Sequence, residues 1–406
     1  MNPSTQAPLS RGMLILLAVA AGIIVANLYY AQPLVGPIGA ALGMPPEATG
    51  LIVTLTQIGY TLGLLFIVPL GDLLENRRLI VGGLVATGAA LLCAALATQA
   101  WQFLLAALAI GLGAVVAQVL VPFAAHLAPE ATRGQAVGKV VSGLLLGIMV
   151  ARPVASLLAG VGGWQAVFGI GALLVLGLAV VLHFKLPQRR PDAALPYSAL
   201  IGSLWTVFAT TPVLRRRALY HAGLFGAFSL FWTVVPQELS GPRFNLGPNG
   251  IALFALAGMA GALASPLAGR VADAGHTLGA TAVALVLGAA SFLLPLFAPQ
   301  SATMSLALLV VAAIVLDAAV AANLVLGQRA LFALGAAIRS RLNGLYFALF
   351  FAGGALGSAL GGWIHAQHGW HAALLAGMLL PAPALAAWVW EAAEHAAAGT
   401  PVDDVR

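Results

Sequence analysis

Residues 79–129 read LIVGGLVATGAALLCAALATQAWQFLLAALAIGLGAVVAQVLVPFAAHLAP, without a single Asp, Glu, Lys or Arg. A helix needs about 20 apolar residues to cross a hydrocarbon core of about 30 Å, so this stretch is too long for one crossing and sufficient for two. Ala97-Thr98-Gln99-Ala100 is the polar break between them. A second uncharged stretch, 274–316, divides in the same way at Ala298-Pro299-Gln300-Ser301. Working outward gives twelve spans: 13–35, 48–70, 79–97, 101–125, 137–160, 164–184, 218–237, 248–268, 278–298, 302–326, 342–364 and 370–390. The alternation of a membrane barrel is absent, and backbone in lipid must satisfy itself, so the spans are helices.

The rest of the composition agrees. Of 406 residues, 61% are hydrophobic and 7% charged, against about 25% charged in soluble proteins. A soluble enzyme, a nucleic-acid binder and a disordered chain are excluded. The single cysteine, Cys93, lies in an apolar run, so neither an internal disulfide nor a cysteine metal site is available. A signal peptide over 12–30, cleaved near Ala18-Val19-Ala20, is disfavoured by the length of the run and the eleven spans after it.

The net charge of +6 is a topology signal. All of the 18 Lys and Arg residues except Arg152 and Arg243 fall at one side of the twelve spans. Both termini are therefore expected in the cytoplasm of a bacterial inner membrane. A tag at Arg406 and one within 186–200 should both face inward, and a cysteine near Gly241 should be labelled from outside. Labelling of position 190 in intact cells overturns this orientation.

The halves echo each other at an offset of 206. Arg133 matches Arg339, Gly138 matches Gly344, Gly147 matches Gly353, and Gly163-Trp164 matches Gly369-Trp370. Asp72 and Asp273 follow spans 2 and 8. A parallel repeat of six spans places a binding site between the halves, near the membrane midplane. The expected organisation is a bundle over 1–185, a cytoplasmic linker with a surface helix over 186–217, a second bundle over 218–392 and a cytoplasmic tail over 393–406.

These features resemble the major facilitator superfamily over nearly the whole chain. Gly71-Asp72-Leu73-Leu74-Glu75-Asn76-Arg77-Arg78 is similar to the family's loop after span 2, with Val68 and Glu75 in place of its two glycines. Gly269-Arg270-Val271-Ala272-Asp273-Ala274-Gly275 is a closer copy after span 8. Gly138, Gly147 and Pro153 resemble the drug:proton antiporter branch, although Ala151-Arg152-Pro153 replaces its Gly-Pro. Asn27-Leu28-Tyr29-Tyr30-Ala31-Gln32-Pro33-Leu34 is similar to sugar and nucleoside efflux members. The branch's Arg-x-x-Gln-Gly in span 4 is here Ala107-Leu108-Ala109-Ile110-Gly111, so coupling through that arginine is unavailable.

The resemblance implies a cytoplasmic gate in which Asp72, with Arg77 and Arg78, faces the start of span 11. A helix N-terminus carries partial positive charge. Asp273 with Arg270 would play the matching part against span 5. It also implies a cavity lined by spans 1, 4, 7 and 10, which carry Asn27, Tyr30, Gln118, His221, Phe228, Trp232 and Asn323. Spans 2 and 11 add Gln57, Tyr60 and Tyr346.

Two residues stand apart on physical grounds. A charged side chain at mid-membrane costs roughly 2.5–3.5 kcal/mol on insertion scales and is usually functional. Arg152 lies 15 residues into span 5, where it serves as an anion contact, an electrostatic gate or a partner for carbonyls freed by Pro153. Asp317 is the one acid well inside a span. Desolvation favours the neutral form of any carboxyl group, which suits Asp317 to proton coupling; packing against Asn323 is the structural alternative. Depth counting puts Arg152 nearer the outside and Asp317 nearer the inside. Glu238 is an interfacial second candidate for coupling.

Other motifs lead nowhere. Gly134-x-x-x-Gly138-Lys139 is one residue short of a phosphate loop, and Val140 stands where its Ser or Thr would be. His365, His368 and His371 cluster without an acid or cysteine. No serine-hydrolase or zinc-protease motif occurs. The expected protein is a monomeric secondary transporter without cofactor or metal, exporting small organic molecules by proton antiport. The alternative is an organic anion exchanger or uptake carrier with Arg152 as its anion contact.

Overall fold

The computed structural model describes residues 10–191, 196–335 and 338–397. Residues 192–195 of the linker and the tail from 398 onward, with Arg406, lie outside the described residues. The helices are α1 (Arg11–Ala26), α2 (Val35–Ala41), α3 (Leu51–Phe66), α4 (Asn76–Ala95), α5 (Ala100–Ala114), α6 (Val116–Leu127), α7 (Arg133–Lys185) and α8 (Tyr197–Thr210). They continue as α9 (Pro212–Ser240), α10 (Pro248–Gly258), α11 (Ala264–Asp273), α12 (Thr277–Ala290), α13 (Leu293–Leu296), α14 (Ala302–Phe332), α15 (Arg339–Leu379) and α16 (Ala382–Ala397). Short 3₁₀ turns join some of them, and no strand occurs among the described residues. Among those residues 9 helical stretches are long and apolar enough to cross a membrane, and Arg11–Ala26 and Tyr197–Thr210 are shorter apolar helices.

The breaks read from the sequence have local causes. Gln99 caps α5 in a capping box, with the Gln102 carbonyl oxygen accepting from the Thr98 and Gln99 amides at 2.9 and 3.2 Å. Ser301 caps α14 by accepting from Met304 N–H. α7 and α15 each hold two sequence spans, interrupted by Gly163 (φ 74°) and Gly369 (φ 77°). Those left-handed conformations favour glycine, and each glycine is followed by a buried tryptophan, Trp164 or Trp370.

The repeat extends into packing. A Cβ on Gly147 would strike the Gly22 backbone, where α7 crosses α1; a Cβ on Gly353 would strike Ala222, where α15 crosses α9. Small residues allow such close crossings in membranes. Arg133 Nε donates to the Ala125 carbonyl at 3.1 Å and Arg339 Nη2 to that of Phe332 at 3.0 Å, each at the end of the helix before it.

Two expected boundaries are corrected. Span 1 is not continuous to residue 35: α1 stops at Ala26, and Asn27 donates back to the Ile23 and Ile24 carbonyls, both at 3.0 Å, ahead of Pro33. The helix assigned to 218–237 starts earlier, at Pro212, where proline suits the first turn. Arg215, Arg216 and Arg217 are therefore helical.

The two halves meet along α3 and α15. Thr54 and Ser358 hydroxyls lie 2.8 Å apart, and Gln57 Nε2 donates to Ser229 Oγ at 2.9 Å. Tyr60 and Phe351 rings are 4.5 Å apart. A Cβ on Gly362 would stand 2.7 Å from Gly50 Cα. That far end of the array is shut; the opposite, basic end carries Arg77, Arg133 and Arg329.

Candidate functional site

The site centres on one ion pair between the halves. Arg152 of α7 is 4% exposed, and its Nη2 lies 3.6 Å from Asp317 Oδ2 of α14. Trp232 Nε1 of α9 donates to the other oxygen, Oδ1, at 2.9 Å. The guanidinium carbon sits 3.9 Å from the Trp232 ring centroid and 5.0 Å from that of Phe228. Glycine makes the room: a Cβ on Gly261 would come 2.7 Å from Asp317 Cβ, and one on Gly258 would come 2.8 Å from the Trp232 ring.

Depth counting separates these two charges, and the structure brings them together. At 1.5 Å per residue Arg152 lies about 16 Å from the Gly163 break and Asp317 about 22 Å from Ala302. Helical side chains lean towards their own N-terminus, which for α7 is the basic end, so the long arginine arm spans the difference.

Buried polar atoms without a protein partner occur at the pair itself, on Arg152 Nε and Nη1, and elsewhere in the array on Asn27 Oδ1, both ring nitrogens of His221, both amide atoms of Asn323 and Tyr346 Oη. Each such atom costs about 1–3 kcal/mol when left unsatisfied, so each is a place where water or a ligand can bind. His221 is fully buried, 4.2 Å from the Phe350 ring and 5.1 Å from that of Tyr346. Gln118 donates to Tyr60 Oη at 3.1 Å within the first half, and Tyr30 is buried without joining the pair.

Sequence reasoning missed three residues. Tyr29 lies within electrostatic reach of both Arg152 and Asp317; the end of α1 at Ala26 turns it, rather than Tyr30, towards them. Ser229 receives Gln57 across the halves. Glu391, at the basic end, is buried and accepts from Tyr220 Oη at 2.6 Å, with Arg216 at 3.6 Å.

The proposed gate residues separate. Asp72 lines a cavity with Asn76, Arg189, Ser340 and Arg341, between the end of the Asp72 turn and the start of α15. Arg77 and Arg78 do not join it. Arg77 Nη1 donates to the His183 and Leu186 carbonyls, at 3.3 and 3.5 Å, and Arg78 faces Glu75 at 3.6 Å. Asp273 pairs with Arg329 of α14, not with Arg270, and Arg329 also donates to the Gly269 carbonyl at 3.2 Å. The ion pair at this second loop therefore lies within the second half. His365 Nε2 stands 4.0 Å from Glu238 at the far end.

Apolar helices long enough to cross a membrane, a structural repeat, and a buried ion pair between the repeats define a multi-pass membrane transporter. The chain belongs to the Major Facilitator Superfamily, whose sequence profile matches residues 15–331. It is 40% identical over 381 residues to the uncharacterized transporter YgaY of Escherichia coli, covering 94% of this chain and 95% of that one. It is 26% identical over 247 residues to a probable sugar efflux transporter of Pasteurella multocida, covering 60% of this chain and 59% of the other. The crystal structure of a bacterial homolog of the human lysosomal transporter Spinster shares the fold, with a TM-score of 0.71 at 16% identity, covering 93% of this chain and 95% of that one.

Proposed function

We propose that the protein is a proton-coupled exporter of small organic molecules from the bacterial cytoplasm, working by alternating access. The basic end then faces the cytoplasm and the shut end faces outward. The observation that carries this reading is the Arg152–Asp317 pair, because its two charges belong to opposite halves. Ionised, Asp317 draws Arg152 and α7 towards α9 and α14 and holds the outer side closed. In the outward-open form a proton from outside neutralises Asp317, the neutral site closes and turns inward, and release of that proton to the cytoplasm restores the Arg152 pair. The likeness to a described sugar efflux transporter supports the direction. A second reading, an organic anion carrier, draws support from the two guanidinium nitrogens of Arg152 that lack a partner.

The experiment uses the full chain in liposomes. A thermal-shift screen over nucleosides, sugars, amino acids, drugs and organic acids supplies the substrate. Its accumulation should follow an imposed proton gradient of the opposite direction and collapse with a protonophore. Movement indifferent to the gradient overturns proton coupling.

The inner gate is testable separately. Asp72 stands beside Arg189 and Arg341 in the cavity at the start of α15, so it should latch the cytoplasmic side when that side closes. Asp72→Asn should lower turnover several-fold while leaving substrate affinity within about twofold. An unchanged transport rate removes the latch.

A further inference from the structure

Arg152 occupies a place built for a cation. Its guanidinium has a carboxylate oxygen 3.6 Å away on one side, the Trp232 ring at 3.9 Å and the Phe228 ring at 5.0 Å. Aromatic faces carry negative quadrupole charge and attract cations, so this box repels an anion. The carboxylate and both rings belong to the second half, on α14 and α9, whereas the arginine enters from α7 of the first half. Once the halves part, the box stays intact and loses only its occupant. Arg152 leaves with two nitrogens that have no protein partner even when it is seated.

We propose that the transported substrate is an organic monocation, a guanidinium, amidinium or amine on an apolar body, which takes the place of Arg152 between Asp317, Trp232 and Phe228. Arg152 is then a tethered stand-in for the substrate. It fills the box in the empty carrier and yields to the free cation. This proposal rests on the export reading above and assigns its substrate class. The charge balances one for one: Asp317 holds a proton, the substrate cation or Arg152, and each replaces another. The ionisable groups facing the carboxylate are Arg152 from α7 and Tyr29 from the segment after α1, with Tyr60 of α3 beside Tyr29. Neither tyrosine supplies a second cation, so removal of Arg152 leaves the box empty for a ligand. An anionic substrate would need the opposite arrangement, with Arg152 free and the acid elsewhere.

Three probes of one shape separate the classes: benzamidine as the cation, benzamide as its neutral analogue and benzoate as the anion. Binding to the purified full chain is followed by calorimetry and by tryptophan fluorescence. Benzamidine should bind the Arg152→Gln variant at least tenfold more tightly than it binds the wild type, because the internal competitor is gone. Arg152→Lys, which keeps the charge, should show little gain and controls for loss of folding. Asp317→Asn should remove the benzamidine preference. Equal binding of the three probes to Arg152→Gln, or no binding of any, overturns the proposal. Benzoate bound best by the wild type and lost in Arg152→Gln also overturns it and establishes the anion carrier. If benzamidine binds as described yet moves through liposomes without counterflow of protons, the cation site stands and proton coupling fails.

Discussion

Asp317→Asn should reduce accumulation to equilibrium: the ratio of inside to outside substrate goes to one whatever proton gradient is imposed. With one proton per turnover, a gradient of one pH unit supports about tenfold accumulation, since a tenfold ratio corresponds to about 1.4 kcal/mol. All of that drive enters through a group that can be neutral in one state and charged in the other. Asparagine keeps an oxygen to accept from Trp232 Nε1, as Asp317 Oδ1 does at 2.9 Å. It cannot attract Arg152 as a charge. Removing one partner of a buried pair costs about 3–5 kcal/mol where the other charge stays unpaired; the Trp232 and Phe228 rings retain part of the Arg152 interaction. The variant should therefore fold and spend more time open at the outer side. Cysteines at the outer seam report that shift by labelling faster. Uphill transport at the wild-type rate in Asp317→Asn moves the proton site elsewhere, with Glu238 beside His365 the next position to replace.

What the sequence made legible was whatever depends on period and composition. The uncharged run at 79–129 divides where Gln99 caps a helix, and the Gly163 and Gly369 repeat recurs as two matching breaks with positive φ. Both express one local requirement, a satisfied helix end or a left-handed residue, and local requirements leave marks in the chain. Asp317 and Arg152 stood out for a similar reason, because charge inside an apolar run is expensive. Their meeting was hidden. It depends on which way a long side chain leans and on the close approach that Gly258 and Gly261 allow, which only the folded array sets. Tyr29 was hidden by the early end of α1. The Asp273 partner was hidden because Arg270 is near in sequence, whereas Arg329 arrives from another helix.

Gly362→Leu should lower transport and exchange alike, by tenfold or more, and so differs from any loss of coupling alone. Gly362 of α15 meets Gly50, the residue before α3, where a Cβ would already stand 2.7 Å from both Gly50 Cα and N. Those are backbone atoms, which have no rotamer to escape into. An isobutyl group there holds the halves apart at the seam that Thr54 and Ser358 close at 2.8 Å. Overpacking costs about 1–3 kcal/mol in a closed core, occasionally more, and the open form avoids it, so the population moves towards the outward-open state. Alternating access needs both states in every cycle, which is why exchange falls together with net transport. Gly169→Leu is the control, since nothing stands within 4 Å of a Cβ there, and it should transport normally. Gly362→Ala should fall between the two. The readout is labelling of a cysteine at position 229 by a membrane-impermeant reagent, in a Cys93→Ser background. It should rise in Gly362→Leu and stay low in the control. Transport by Gly362→Leu at more than a tenth of the wild-type rate would show that the Gly50–Gly362 contact is not the outer closure.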